Sequence, residues 1–165
     1  MVLVFAKVWD IFFDRMKLFS PKRRAAFIAA ADRIVPVDDF PSASAAGAEQ
    51  YVLQLLAGDL RDRAGEFLAG LDLLNDESAA MFEGRRFDTL GEAQQDAVLS
   101  GLESHPTVAA QAFFKLLVDL VTEGYYADPA NGGNRDAFSW KMIGYESGVP
   151  GDLTSSSQRN PPTRP

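Results

Sequence analysis

The chain is predicted to be all-α: a small irregular helical domain with an aromatic N-terminal arm and a long ordered C-terminal loop segment. Apolar residues recur at three- and four-residue spacing in one segment after another, which gathers them on one face of a helix. Residues that start or stop helices stand between these segments, among them Ser20-Pro21, Pro36, Gly58 and Pro106. No run of period-two alternation is long enough for a strand. The expected divisions are an arm over 1–19, a helical domain over 20–148 and a polar, proline-bearing, disordered tail over 149–165.

The arm holds Val8, Trp9, Ile11, Phe12, Phe13, Met16, Leu18 and Phe19, interleaved with Asp10, Asp14, Arg15 and Lys17. Helical spacing predicts an amphipathic helix from about Val8 to Leu18. It reads as a first helix docked on the core, as a partner-facing anchor through Trp9, Phe12 and Phe13, or as a membrane-surface helix. Its near-balanced charge argues against the last. Ser20 is a hydroxyl cap before Pro21, and the helix that follows carries Phe27, Ala30, Ala31 and Ile34 on one face until Pro36 stops it. A loop over 37–44 leads to a helix from about Ala45 to Leu56, closed by Gly58. A third is expected over Leu60 to Leu74. Asn75-Asp76 is read as its break, with a short turn over Ser78 to Phe82. Thr89 and Glu92 stand in capping-box relation before a helix ending near Ser104. The last helix runs from Pro106 to about Glu123, with Gly124 past its end. It is apolar nearly all round, which places it in the middle of the fold.

The length of 165 residues suits one domain, and 47% hydrophobic content suffices for a core. The net charge of −7 and the lack of any basic stripe beyond Lys22-Arg23-Arg24 exclude nucleic acid as a partner. With no cysteine, disulfides, thiolate metal sites and a cysteine nucleophile are excluded. Every apolar run is interrupted by charge well short of the ~20 residues of a transmembrane helix.

Little points to catalysis. His105 is the single histidine; a zinc site needs several ligands and a Ser-His-Asp triad needs an orienting carboxylate, so it reads as a cap or a solvent-facing residue. Asp128, Asn131, Asn134 and Asp136 lack the spacing of a calcium loop. Asp128 before Pro129 is better read as a turn residue. Gly132-Gly133 lacks the strand, helix and third glycine of a dinucleotide site. Asp38-Asp39 reads as a solvated pair. Catalytic, cofactor and metal residues are therefore all expected to be absent.

The densest chemistry lies from Gly124 to Tyr145. Tyr126, Asp128, Gly132, Gly133, Asn134, Arg135, Trp140, Lys141 and Tyr145 crowd into one short loop. Trp, Tyr and Arg are the usual anchors of protein contacts, so these nine residues are read as a partner-binding surface. In the competing structural reading Trp140 and Tyr145 fold back to close the domain, and Arg135 pairs with Asp128 or Asp136.

The same residues carry a resemblance. Asp128-Pro-x-x-Gly-Gly-Asn-Arg-Asp136 followed by Trp140-Lys-x-Ile-Gly-Tyr145 resembles the C-terminal motif of the gluconate 2-dehydrogenase subunit 3 family. Ala31-Asp-Arg-Ile-Val-Pro36 with Asp38-Asp39, Pro41 and Ala46-Gly47 is similar to the family's opening segment. The resemblance implies a small, non-catalytic gamma subunit of a flavin-dependent sugar or polyol dehydrogenase. FAD is then expected in the large flavoprotein partner and no cofactor in this chain. Its role would be to support folding, flavin loading, stability or export of that partner. The complex would bring a cytochrome subunit within reach. Family members often begin with a twin-arginine signal. Here the apolar run after Arg23-Arg24 is too short, so these arginines are read as helix surface. The expected compartment is the cytoplasm, or the periplasm if a signal was removed or the chain leaves with its partner. The alternative function is a standalone small helical enzyme or ligand-binding domain with the 128–145 loop as its pocket.

Overall fold

The computed structural model describes residues 18–145. The tail and nearly all of the arm, with Trp9, Phe12 and Phe13, lie outside them. Among the described residues there are six helices and no strand: α1 Pro21–Ile34, α2 Ala48–Ala57, α3 Ala64–Met81, α4 Glu92–Glu103, α5 Val108–Tyr126 and α6 Phe138–Met142. The all-α expectation holds.

Helix α5 is the axis of the fold and packs against α1, α2, α3 and α4. Phe113, Leu116, Leu117, Leu120 and Val121 are buried along it, as its nearly continuous apolar surface demands. A chain of aromatic rings ties the layers together. Phe19 lies 5.4 Å from Phe27, Phe27 lies 6.2 Å from Phe67, and Phe67 meets Phe113 edge-on at 5.7 Å. Such tilted and edge-on pairs match the positive ring edge to the negative ring face.

Helix α1 begins as expected, with the Ser20 hydroxyl accepting from Arg23 N at 3.3 Å. Its surface is ion-paired to three other helices. Arg23 grips Asp72 on α3, Arg24 grips Glu49 on α2, and Arg33 grips Asp96 on α4, each with two hydrogen bonds. These pairs are solvent-exposed in part, so each contributes modestly, and together they fix how α1 is oriented.

Four boundaries differ from the sequence expectation. Asn75 does not end α3, which continues to Met81. Its side chain is buried, donating to Leu71 O at 3.1 Å and accepting from Phe87 N at 3.4 Å. The amide thus bonds inside its own helix and also reaches the Phe87–Thr89 turn. Thr89 does not cap α4; its hydroxyl donates to Arg86 O, and Gln94 Oε1 instead accepts from Gly91 N at 3.1 Å. Helix α2 starts at Ala48, after a turn over 43–47 that is closed by Ala48 N donating to Ala43 O at 3.0 Å. Gly124 lies inside α5, not beyond it.

Two predictions follow from this packing. Asn75→Ala removes the acceptor for the buried Phe87 amide and should cost about 1–3 kcal/mol in urea unfolding; an unchanged midpoint would contradict that role. The second concerns acid. Hydrogen bonds from Arg23 and Arg33 are the main cause holding the Asp72 and Asp96 carboxyls below the usual carboxylate range. Their contribution is complete above the unfolded value of ~3.9 and is lost as pH falls through the lower folded value. The double variant Arg23→Gln, Arg33→Gln should therefore show a flatter loss of stability between neutral pH and pH ~3 than the parent chain. Parallel acid limbs in the two proteins would refute this.

Candidate partner-binding segment

Helix α5 delivers the chain to Ala127, and the motif segment then folds back over the α2–α5 crossing. Asp128 opens it as a turn residue, its carboxylate accepting from Ala130 N at 2.9 Å. Gly132 then takes φ 90°, a left-handed conformation that suits glycine. Gly133 packs directly on the backbone of α5. A Cβ there would lie 2.1 Å from Gly124 O, so no side chain fits. Gly124 is close-packed on its other side, less severely, where a Cβ would sit 3.0 Å from Tyr51 Cδ1 and 3.2 Å from Ala48 Cα. Both glycines exist here to allow close approach, and three backbone segments converge as a result.

Asn134 locks this arrangement. Its backbone N donates to Gly124 O at 3.0 Å, its side-chain N donates to Ala127 O at 2.9 Å, and its side-chain O accepts from Ser139 N at 3.0 Å. It is fully buried in a left-handed conformation, φ 42°, which asparagine tolerates better than most residues. Arg135 N then donates to Ala46 O at 2.8 Å. The two segments that carry the family resemblance, Ala46-Gly47 and the 128–136 motif, are thus hydrogen-bonded to each other.

A further bracket belongs to the opening segment. Asp32 accepts from Ser44 N at 2.8 Å and from the Ser44 hydroxyl at 2.7 Å, holding the 37–44 loop against α1. The Tyr125 hydroxyl donates to Pro41 O at 2.9 Å, and its ring meets Phe138 edge-on at 4.9 Å. Burial, and then the charges of Tyr126 and Asp38, push the Tyr125 phenol up. Burial, helped by Glu123, pushes the Tyr51 phenol up to about 12. Both tyrosines are therefore neutral braces at physiological pH. Tyr51, Gly124, Tyr125 and the Asp32–Ser44 pair were not singled out as site residues in the sequence; the only signal for Asp32 was its place in the opening segment.

The nine expected residues separate into two groups. Gly133 and Asn134 are buried and shape the segment, while Gly132 is partly covered. Tyr126, Asp128, Arg135, Lys141 and Tyr145 are exposed, and Trp140 is half-buried. Trp140 and Tyr145 do fold back, onto each other: their rings meet edge-on at 5.3 Å, and Tyr145 N donates to Trp140 O at 2.8 Å. Tyr145 remains 55% exposed and the adjacent Ile143 68%. Arg135 makes no ion pair with Asp128 or Asp136; among the described residues its guanidinium has no carboxylate partner. The segment thus offers a cation, Lys141 and two large apolar groups on a backbone held by internal bonds.

His105 serves as a local cap, with Nδ1 accepting from Thr107 N at 3.2 Å. Asp38 caps its own turn through Phe40 N at 2.8 Å. Among the described residues no group of three or more His, Asp or Glu is gathered for a metal, and no helix is long and apolar enough to cross a membrane.

The described residues form a small all-helical domain with an internally braced motif loop. The model of the family described as gluconate 2-dehydrogenase subunit 3 matches residues 21–148. The chain belongs to this family, and the match spans α1 through α6 and the whole motif segment. Neither the curated proteins nor the solved structures give a match.

Gly133→Ala should push the motif segment off α5, because the clash is with backbone that has nowhere to move. Hydrogen exchange at the Asn134 and Ser139 amides should rise by at least tenfold, as for a segment freed from its local bonds. Helical circular dichroism should be retained. Unchanged exchange at both amides would show that the close approach is not needed.

Proposed function

We propose that this chain is the non-catalytic gamma subunit of a flavin-dependent sugar or polyol dehydrogenase, and that it binds the large flavoprotein through its motif segment. FAD belongs to that partner, which performs the oxidation. The small subunit supports the partner's folding, flavin loading, stability or export. A cytochrome subunit is reached only through the complex. Family membership over residues 21–148 supports the assignment to a multi-subunit dehydrogenase.

The observation that carries the binding surface is Arg135. Its backbone is pinned to Ala46, yet its guanidinium is exposed and has no carboxylate partner among the described residues. Arg offers a planar fork of donors, and a fork held on a rigid loop loses little freedom on binding a carboxylate or a row of carbonyls. Lys141, Tyr126, Tyr145 and Trp140 surround the role with contact area and charge. An enzyme using the 128–145 loop as a pocket is disfavoured by the same geometry, because Gly133 and Asn134 fill the space beneath the loop.

Co-expression with a large flavoprotein dehydrogenase subunit, followed by co-purification, tests the assignment. Arg135→Ala should weaken affinity for that flavoprotein by roughly 30- to 1000-fold, the effect of truncating an interface anchor worth about 2–4 kcal/mol. Its thermal melt should change little, since the guanidinium makes no hydrogen bond or ion pair among the described residues. Retained affinity would remove Arg135 from the interface. A fall in melting temperature would mean that it braces the fold instead.

A further inference from the structure

The described residues expose their large apolar side chains unevenly. Val37, Phe40, Tyr126, Ile143 and Tyr145 stand on segments that gather around Tyr125, at the end of α5. Met81 ends α3, and Val108 opens α5, ~27 Å from Tyr126 along a helix that rises ~1.5 Å per residue. The 37–40 tip is built to keep its shape. The Asp38 carboxylate accepts from Phe40 N at 2.8 Å, and Asp38 N donates to Phe40 O at 3.2 Å. Behind the tip, Ala43 N donates to Val35 O at 3.0 Å. Val37 is nevertheless 72% exposed and Phe40 38%. Asp39 is exposed and makes no ion pair among the described residues. Apolar groups held in water by a braced turn, beside other exposed apolar groups, mark a contact surface.

We propose that the 37–40 tip is a second limb of the surface that binds the large flavoprotein, seating Val37 and Phe40 against an apolar patch of that subunit and setting Asp39 opposite a basic group on it. This rests on the reading of the motif segment as the flavoprotein-binding surface. Continuity argues first. The Tyr125 hydroxyl donates to Pro41 O at 2.9 Å, while its ring meets Phe138 at 4.9 Å and Tyr126 at 5.0 Å. One buried side chain therefore separates the tip from both α6 and Tyr126. Size argues next. Nine residues of 128–145 are exposed, whereas a stable interface draws on about 20–30 residues a side. The segment's contact area must extend onto a neighbour, and the tip is the adjoining stretch that already exposes apolar groups.

Charge argues third. The tip presents Asp38 and Asp39, and the motif segment presents Arg135 and Lys141. A partner that docks across both needs opposite signs at its two ends, which fixes its orientation and rejects a shifted pose. The net charge of −7 disfavours a second copy of this chain as the occupant, because like-charged molecules repel.

The test uses the full-length chain and a large FAD-bearing dehydrogenase subunit that co-purifies with it. Phe40→Ala should weaken the affinity roughly tenfold or more, as truncation of an interface anchor does. Val108→Ala removes an equally exposed apolar group at the far end of α5 and should leave the affinity within about twofold, as expected outside an interface. Asp39→Arg, at a side chain that supports no bond in the domain, should slow association at low salt by several-fold, with the loss shrinking as salt screens the charge. If Arg135→Ala weakens binding while Phe40→Ala and Asp39→Arg bind like the parent chain, the tip is outside the interface and this inference fails, with the motif reading intact. If Arg135→Ala and Phe40→Ala both bind like the parent chain, the motif reading fails and takes this inference with it. Self-association of the free chain that Phe40→Ala abolishes, with flavoprotein affinity unchanged, would assign the tip to a second copy and would also overturn the proposal.

Discussion

Asn134 is buried beside the end of α5 and spends its backbone N–H and both ends of its side chain on Gly124, Ala127 and Ser139. The rest of the candidate surface depends on this one residue. It turns a chain that has left its helix back across that same helix. It also fixes where α6 begins and aims Arg135 outward. The left-handed backbone there is repeated at Asp136 (φ 60°) and Ala137 (φ 52°). Non-glycine residues rarely adopt it, and it persists only where surrounding bonds over-determine it. The three hydrogen bonds and the Gly133 contact supply that determination.

The glycine contacts explain why this bracket can form. Gly124 lets α2 come close to α5, and Gly133 lets the returning loop lie on the opposite backbone surface. A larger residue at either place would separate layers that are joined by single hydrogen bonds of 2.8–3.0 Å. Hydrogen bonds weaken steeply with distance, so the seam between Ala46 and Arg135 depends on contacts that are not themselves part of it. The family resemblance therefore falls on a structural unit: the opening segment and the motif are two halves of one joint.

This division of labour suits the binding role proposed above. The buried residues of the motif shape the segment, and the exposed ones are left on its surface. Holding the contact residues rigid before binding lowers the entropy lost on association. The arginine pairs of α1 and the aromatic chain from Phe19 to Phe113 stabilise the body that carries the joint.

Much of this was legible in the sequence. Periodicity located the helices, the apolar girth of α5 put it at the centre, and the residues of 128–145 carried the family resemblance that the match over 21–148 bears out. What sequence could not show was which side chains reach across the fold. Asn75 has the chemistry of a helix breaker, and only the nearby Phe87 amide makes it a core residue. Gly124 looks like a terminator, and only the crossing of Tyr51 makes it an interior contact. Thr89 and Glu92 have the spacing of a cap, but the Phe87–Thr89 turn draws the hydroxyl to Arg86. In each case local chemistry allows two outcomes that differ by about a kilocalorie, and a long-range partner of comparable strength selects between them. The sequence by itself determined the helical class and the segment to watch. The tertiary structure decided which of its residues are braces and which stay exposed, because burial and bonding depend on neighbours far away along the chain.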